Sequence, residues 1–248
     1  MNRLSACVLI PVYNHPRGVT LVVQQIRQLG LPILLIDDGS DSDCASVLDG
    51  LAKQDCHLLR LPFNQGKGAA VRAGLAEAEK LGFSHALQID ADGQHAIEDL
   101  PAFLAQLPNN PEALVVGYPQ YDESVSLTRF YGRYATHIWV WINTLSLDIR
   151  DSMCGARLYP LANVNQLLRQ APCGNRMDFD TEVLVRWHWT GGRVVNLPVH
   201  VHYPTDGVSH FRLWRDNSLI SAMHARLFFG MLWRLPTLLR RRLQHAFS

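Results

Sequence analysis

The sequence predicts an α/β domain in which a mainly parallel, doubly wound sheet is flanked by helices. Short apolar runs recur along the first half of the chain, segments with helical spacing lie between them, and polar clusters follow the runs. Short, nearly continuous apolar runs are typical of strands that are covered on both faces. Their regular alternation with helices is the pattern of a parallel sheet.

The elements of the first half can be placed in order. Strands are expected at residues 7–10, 33–36, 58–61, 86–89 and 113–116. Apolar residues at helical spacing predict helices at residues 19–29, 44–51, 69–81 and 97–107. The second half is less regular, and there we expect helices at residues 127–145 and 181–189 and strands at residues 155–159 and 193–201.

Composition excludes several classes of protein. A chain of 248 residues with 48% hydrophobic content can bury a large core, so disorder of the whole chain is excluded. The formal charge of +1 gives no general attraction to nucleic acid. Five scattered cysteines without a CxxC pair argue against a disulfide framework or a structural zinc site. Together with the lack of a signal-peptide pattern, they predict a cytoplasmic location.

The segment LQIDADGQH, residues 87–95, begins as a buried strand and ends in a dense polar cluster. Asp90 and Asp92 are two residues apart, so their charges repel each other unless a cation compensates them. Mg²⁺ and Mn²⁺ prefer oxygen ligands, and Gln94 adds a further oxygen. The segment therefore predicts a divalent metal site, although a turn with two solvated aspartates would have the same pattern.

Two further polar clusters follow predicted strands. The DDGS turn contains Asp37 and Asp38, which can hydrogen-bond to the backbone or to a nucleoside. The NQGKG segment, residues 64–68, opens a helix, and backbone amides with Lys67 could bind phosphate there. It is not a Walker A loop, because no Ser or Thr follows the lysine. In a doubly wound sheet such clusters meet at the carboxyl ends of the strands.

These motifs, taken together and in order, resemble those of family 2 glycosyltransferases. They are PVYN (11–14), DDGS (37–40), NQGKG (64–68), DADGQH (90–95), DSMCGAR (151–157) and FDTE (179–182). The resemblance runs from about residue 6 to about residue 211, and within the family it is greatest to the dolichol- or polyprenyl-phosphate sugar synthases. It implies an A-type glycosyltransferase fold with a Rossmann-like sheet, a nucleotide-sugar donor, a divalent cation and inversion at the anomeric carbon.

The resemblance also implies roles for individual donor-site residues. Residues Pro11, Tyr13, Asp37 and Asp38 would line the pocket for the base and ribose, and Lys67 and His210 would lie near the diphosphate. Asp90, Asp92 and Gln94 would hold Mg²⁺ or Mn²⁺ on that diphosphate. His210 stands where the lipid-phosphate enzymes tend to carry a lysine, and it could contact the diphosphate or ligate the metal.

The acceptor side allows two interpretations. Arg129 and Arg133 are four residues apart on a predicted helix and match a basic stretch of the lipid-phosphate enzymes, except that Gly132 stands where Ser is common. Two guanidiniums on one face suit a phosphate acceptor, which is already anionic. A hydroxyl acceptor would instead need a general base, for which Asp180 and Glu182 are the candidates.

The last part of the chain has the pattern of a basic amphipathic helix. We expect a catalytic domain over residues 1–215 and an amphipathic segment over residues 216–248. Its apolar runs are too short to span a bilayer, so it is interpreted as a membrane-surface anchor. The same pattern fits a helix that packs on the protein's own core or on a dimer partner.

The sequence therefore predicts an inverting, metal-dependent glycosyltransferase at the cytoplasmic face of the membrane. It would transfer a sugar from a UDP- or GDP-sugar donor to a lipid-linked, polyprenyl-phosphate-like acceptor. The cell envelope is the expected setting, and no nucleic-acid partner is expected. The alternatives are a glycosyltransferase for a soluble or polymeric hydroxyl acceptor and a nucleotide-binding protein that keeps the fold without catalysis.

Overall fold

A seven-stranded sheet forms the centre of the protein. The computed structural model describes residues 4–121, 127–201 and 213–246. The strands, in chain order, are β1 Ala6–Val12, β2 Ile33–Asp37, β3 Cys56–Arg60, β4 His85–Gln88, β5 Leu114–Tyr121, β6 Arg157–Pro160 and β7 Val194–Val201. Their order across the sheet is β3-β2-β1-β4-β6-β5-β7. Strand β6 runs antiparallel to both of its neighbours, and the other pairings are parallel.

Helices cover both faces of the sheet. They are α1 Pro16–Ile26, α2 Ser42–Ala52, α3 Lys67–Lys80, α4 Leu100–Leu104, α5 Leu127–Thr144, α6 Leu161–Gln170, α7 Phe179–Thr190 and α8 Leu213–Ala246. Helices α1, α2 and α4 contribute to the core on one face of the sheet. Helices α3 and α5 to α8 contribute to the core on the other face. The predicted α/β class, with a mostly parallel sheet between helices, is confirmed.

Three elements differ from the prediction. The helix expected at residues 97–107 is a 3₁₀ turn, Ile97–Asp99, followed by the short α4. Helix α6 was not predicted, although its buried residues Leu161, Val164 and Leu168 have helical spacing. Pro198 predicts an interruption of the strand at residues 193–201, but β7 continues through it, which the sheet tolerates because β7 is an edge strand beside β5.

The C-terminal helix α8 belongs to the core as well as to the surface. Its residues Met223, Leu227, Met231 and Leu238 are buried in the core on the α5 side of the sheet. The predicted domain boundary at residue 216 falls inside this helix. Within the described ranges, the helices lack a segment that is long and apolar enough to cross a membrane.

The start of α3 is closely covered by the loop before α7. A Cβ atom placed on Gly68 would overlap Phe179 Cβ and lie 2.7 Å from the carbonyl oxygen of Gly174. Gly50, inside α2, has no atom within 4 Å of the equivalent position. Gly68 is therefore required by packing, whereas Gly50 is not.

We expect Gly68→Ala to lower the free energy of unfolding by about 1–3 kcal/mol, because backbone atoms must move to admit the methyl group. Gly50→Ala should raise it by about 0.5–1 kcal/mol, because alanine loses less backbone entropy in a helix. Urea unfolding of both variants measures the difference. Equal effects of the two substitutions would contradict the packing at the start of α3.

Candidate active site

The predicted polar clusters meet at the carboxyl ends of the central parallel strands. Asp37 ends β2, Asp90 lies two residues beyond β4, and β1 lies between these strands. Lys67 is the first residue of α3, and Asp180 lies in the first turn of α7. Four segments that are distant in sequence therefore come together at one edge of the sheet.

A lysine bridges two carboxylates at the centre of this cluster. Lys67 Nζ lies 2.8 Å from Asp90 Oδ1 and 3.0 Å from Asp90 Oδ2, and it is 3.0 Å from Asp180 Oδ2. Burial alone would raise the pKa of Asp90, but the ammonium of Lys67 lowers it overall. Burial opposes protonation of Lys67, yet Asp180 and Asp90 together raise its pKa. The lysine is therefore held as a cation between two carboxylates.

A second cation, Arg157, contacts the same cluster from the protein interior. Arg157 is fully buried, and its guanidinium donates to the carbonyl oxygens of Ser152, Cys154 and Asp180 at 2.8, 2.9 and 2.6 Å. Its Nη1 lies 3.8 Å from Asp180 Oδ1. The neighbouring Gly155 touches Asp90 so closely that a Cβ atom there would overlap the carboxylate. The DSMCGAR segment thus fixes the positions of Asp90 and Asp180.

The metal motif adds Asp92 and His95 to the charged groups of this cluster. Asp92 Oδ1 accepts a hydrogen bond of 3.0 Å from the amide of Gln94, which closes the loop. Burial and the charge of Asp90 raise the pKa of Asp92. Burial lowers the pKa of His95, with Asp90 and Asp92 opposing it. Two carboxylates that lack full compensation mark a place where a further cation would be favourable.

The donor set fits a hard divalent cation whose coordination is completed by a substrate. Within the described part of the chain, no group of three or more His, Cys, Asp or Glu side chains is arranged to hold a metal alone. The buried atoms Asp180 Oδ1 and His95 Nδ1 have no hydrogen-bond partner there. Mg²⁺ commonly uses one or two protein carboxylates together with substrate phosphates. Asp90, Asp92 and Gln94 are compatible with that use.

Two amides of the glycine-rich segment are engaged by the protein itself. The amides of Gln65 and Gly66 donate to the two oxygens of Asp38, each at 2.8 Å, and Ala69 N donates to Asn175 O at 3.0 Å. Burial raises the pKa of Asp38, and these amides oppose the shift. In the NQGKG segment, the amides of Gln65 and Gly66 therefore fix the position of Asp38, and Lys67 provides the positive charge.

The other predicted nucleoside residues lie beside Asp38. Asp37 is fully buried, and its carboxylate accepts from the amide of Ser40 and from Arg60 Nε. Pro11 is buried at the end of β1, and Tyr13 is half-buried just beyond it. Both aspartates are thus held by protein groups and fix the loops in which they lie.

Arg133 on α5 is held by an aspartate of the DSMCGAR segment. Its Nε and Nη2 donate to Asp151 at 2.6 and 2.8 Å, and His137 Nε2 lies 3.2 Å from the same carboxylate. Burial raises the pKa of Asp151, but Arg133 and then His137 lower it overall. Arg133 also contributes to lowering the pKa of His95, so its charge lies near the metal motif.

Glu182 has a different environment from Asp180. It is fully buried, and its carboxylate accepts from Arg186 at 2.7 Å, from Arg226 at 2.9 Å and from the amide of Gly174 at 2.9 Å. These contacts join α7, α8 and the loop before α7. Because Glu182 accepts hydrogen bonds from three groups that hold these elements together, its role is structural. Of the two predicted bases, Asp180 is the one that contacts Lys67 in the charged cluster.

Two predicted residues cannot be placed in the site. Arg129 lies in α5, but its side chain is outside the described part of the structure. His210 also lies outside the described residues. Their roles therefore stay predictions.

The chain matches the model of the family described as glycosyl transferase family 2 over residues 7–171, about two thirds of its length. It belongs to that family. The matched range contains Lys67, Asp90, Asp92 and Arg157, so the cluster described above is formed mostly by family 2 sequence. The resemblance inferred from the motifs is confirmed, and the chain is a glycosyltransferase.

Curated relatives of this family 2 glycosyltransferase include enzymes named for lipid phosphates. It is 34% identical over 102 residues to the polyprenol monophosphomannose synthase of Mycolicibacterium smegmatis, covering 39% of this chain and 38% of that protein. It is 24% identical over 210 residues to the undecaprenyl-phosphate mannosyltransferase of Micrococcus luteus, and the match covers 79% of this chain and 83% of that protein. It also matches dolichyl-phosphate beta-glucosyltransferases of Trichomonas vaginalis and Drosophila melanogaster, and it spans less than two thirds of the length of each of them.

A solved structure confirms the fold. The glucosyl-3-phosphoglycerate synthase of Mycobacterium tuberculosis, crystallised in complex with uridine diphosphate, superposes with a TM-score of 0.64 at 15% identity. The superposition covers 92% of this chain and 80% of that one. The glycosyltransferase therefore has the predicted A-type fold.

For a lipid-phosphate acceptor, the sequence predicts that Asp180 or Glu182 pairs with Arg157 or Arg176, and Arg157 Nη1 lies 3.8 Å from Asp180 Oδ1. The contacts of Asp151 were not predicted. Asp151 and Arg157 were visible as motif letters, but their contacts with Arg133 and Asp180 join segments far apart in sequence. Arg176 also lies at the site, because it packs on Gly66 and its charge lowers the pKa of Asp38 against the larger effect of burial. In the sequence, the position of Arg176 three residues before the FDTE motif is the feature that indicates a role at the site.

We expect the Asp151 contacts to make stability sensitive to acid. The pKa of Asp151 is lowered in the folded state, so its contribution is fully present above the unfolded value of about 3.9 and is lost as the pH falls below it. Asp151→Asn should lower the free energy of unfolding at neutral pH and flatten its decrease between about pH 5 and pH 3. Urea unfolding across that range tests this. The same pH slope in both proteins would contradict it.

Proposed function

We propose that this glycosyltransferase moves a sugar, with inversion, from a UDP- or GDP-sugar to the phosphate of a lipid-linked, polyprenyl-type acceptor, and that it requires Mg²⁺ or Mn²⁺. The names of the relatives in Mycolicibacterium smegmatis and Micrococcus luteus support a polyprenyl phosphate acceptor. The uridine diphosphate complex of the Mycobacterium tuberculosis enzyme supports a nucleotide-bound donor for this fold.

Arg133 is the observation that carries the acceptor proposal. The forked contact with Asp151 fixes its guanidinium, and its charge acts on His95 at the metal motif. A fixed guanidinium beside the donor site suits a dianionic phosphate, because the acceptor would otherwise be repelled by Asp90 and Asp92. Arg129, one helical turn earlier, is proposed to assist.

The donor side follows from the charges in the cluster. A divalent cation held by Asp90, Asp92 and Gln94 would supply compensation for the charge that develops on the departing nucleoside diphosphate. Lys67 adds a cation at the same place, and Arg157 holds the backbone of Asp180 from behind. The loops around Pro11, Tyr13, Asp37 and Asp38 are proposed to hold the base and ribose, with His210 near the diphosphate.

The environment of Asp180 favours a phosphate acceptor over a hydroxyl acceptor. A hydroxyl would need a general base, and Asp180 is already paired with Lys67 at 3.0 Å. Glu182 is engaged by two arginines and an amide. A lipid phosphate oxygen attacks as an anion and requires neither carboxylate as a base. Asp180 then serves to hold Lys67.

Transfer from labelled UDP- and GDP-sugars to polyprenyl phosphate, measured with a soluble hydroxyl acceptor in parallel, tests the proposal. Asp92→Ala should abolish transfer while thermal unfolding shows an intact fold. Arg133→Ala should raise the KM for polyprenyl phosphate by about tenfold or more and leave the KM for the donor unchanged, because it removes charged hydrogen bonds.

The matched control for this assay is Arg169→Ala, because Arg169 is an exposed arginine on α6 that pairs with Glu79. It should leave both KM values unchanged, and Arg133→Lys should restore part of the acceptor affinity. Transfer to the hydroxyl acceptor alone would overturn the proposal.

A two-helix surface supports contact with a membrane at its cytoplasmic face. Ile138, Trp139 and Ile142 of α5 and Phe229 and Trp233 of α8 are exposed apolar residues. Trp139 contacts Phe228 edge to face, with ring centroids 6.3 Å apart, so the two helices form one surface. After Asp216, α8 has five arginines and no acidic residue. Aromatic residues flanked by arginines favour an anionic lipid surface.

Sedimentation with lipid vesicles tests this contact. Binding should be stronger to vesicles with phosphatidylglycerol than to phosphatidylcholine alone, and Trp233→Ser should weaken it several-fold. Leu21→Ser is the matched control, because Leu21 is an exposed apolar residue of α1 on the opposite face of the sheet. Equal binding by the two variants, or no binding by the parent protein, would contradict the membrane contact.

A further inference from the structure

We propose that Lys67 is an internal counter-cation that competes with the divalent metal, so that the free enzyme binds the metal weakly until a nucleoside diphosphate is present. The inference deepens the proposed function and rests on it, because it assumes a metal site at Asp90 and Asp92. It assigns to this chain's own lysine the control of when the metal is bound.

The geometry gives Lys67 the position that a metal would favour electrostatically. Its ammonium contacts both oxygens of Asp90 at 2.8 and 3.0 Å and one oxygen of Asp180 at 3.0 Å. The lysine side chain is only 17% exposed, so water screens these charges weakly. A cation that approaches Asp90 in the free enzyme must therefore share that carboxylate with an ammonium already in contact with it.

The charge balance leads to the same conclusion. Asp90, Asp92 and Asp180 contribute three negative charges to the cluster, and Lys67 and Arg157 contribute two positive charges. One uncompensated negative charge remains while Lys67 is present. Without Lys67 two would remain, which is the amount that one divalent cation neutralises.

Lys67 is the cation of the pair that can move. Arg157 is fully buried and its guanidinium is fixed by three backbone carbonyls. The ammonium of Lys67 contacts the side-chain carboxylates of Asp90 and Asp180 through a flexible four-carbon stem, although its backbone is fixed at the start of α3. Diphosphate oxygens would offer the ammonium new partners, so its hold on Asp90 would weaken when the nucleotide binds. Metal and nucleotide binding would then be coupled.

The test compares Mn²⁺ binding in the absence of nucleotide, measured from the electron paramagnetic resonance signal of free Mn²⁺. Lys67→Met should bind Mn²⁺ at least about tenfold more tightly than the parent protein. Tenfold is a lower limit, because the repulsion between a nearby ammonium and a divalent cation at an effective dielectric constant of about 20 corresponds to a larger factor. Lys67→Arg keeps the charge and should bind as the parent does. Lys80→Met is the matched control, since Lys80 is 77% exposed and pairs with Glu77, away from the cluster.

A second readout covers the case in which Lys67→Met folds poorly. Loss of the ammonium leaves Asp90 and Asp180 under-compensated, so the variant should have a lower Tm in the absence of metal. Added Mn²⁺ should then raise the Tm of Lys67→Met by more than that of the parent protein. A variant that stays unfolded in Mn²⁺, or one that folds and binds Mn²⁺ no more tightly than the parent, overturns the proposal.

Repeating the titration with UDP and with GDP separates this inference from the proposed function. The nucleotide that serves as donor should tighten Mn²⁺ binding to the parent protein by a larger factor than in Lys67→Met. If the parent protein transfers sugar with metal but Lys67→Met shows no gain in Mn²⁺ affinity, the counter-cation inference fails and the function stands. If Lys67→Met gains affinity and nucleotide tightens Mn²⁺ binding to the parent protein, but the parent transfers no sugar, the function fails and the inference stands.

Discussion

The contact of Lys67 with Asp90 and Asp180 is the constraint around which the site is organised. Carboxylates removed from water are costly unless cations and hydrogen bonds compensate them. Three segments must therefore meet accurately: the start of α3, the end of β4 and the start of α7. Arg157 adds a fourth, because its buried guanidinium fixes the loop that carries Asp151 and reaches the backbone of Asp180. The same charges that would serve catalysis thus determine how the second half of the chain docks on the first.

Glycines make this close approach possible. Gly155 leaves room for the Asp90 carboxylate, and Gly66 and Gly68 leave room for residues 174–176 and Phe179. Gly66 also has a φ of 104°, a conformation that side-chain-bearing residues rarely adopt. In a phosphate-binding loop the glycines would keep backbone amides free for the ligand. Here the amides of Gln65 and Gly66 donate to Asp38, and Gly66 and Gly68 allow the close packing that accompanies the contact of Lys67 with Asp90.

The first half of the fold was predictable because its strands and helices have strong local patterns. The five apolar runs correspond to β1 to β5, and the polar clusters that follow them converge as a parallel sheet requires. The second half was less predictable, since β6 inserts antiparallel between β4 and β5 through pairing that no local pattern reports. For the same reason Asp180 and Glu182, two residues apart, looked equivalent in sequence. Their partners, Lys67 and Arg226, come from opposite ends of the chain.

Helix α7 joins the site to the helix proposed to face the membrane. Its first turn carries Asp180, and Glu182 in the same turn accepts from Arg226 of α8. At its other end, the carbonyl oxygens of Trp189 and Thr190 accept from Arg241 of α8 at 2.8 and 3.3 Å, where a cation favours the end of a helix. Because α8 also packs on α5, which carries Arg133, the aromatic surface and the charged cluster are parts of one packed unit. Under the proposed function, a phosphate group presented at that surface would meet Arg133, which Asp151 joins to the same segment that packs against Asp90.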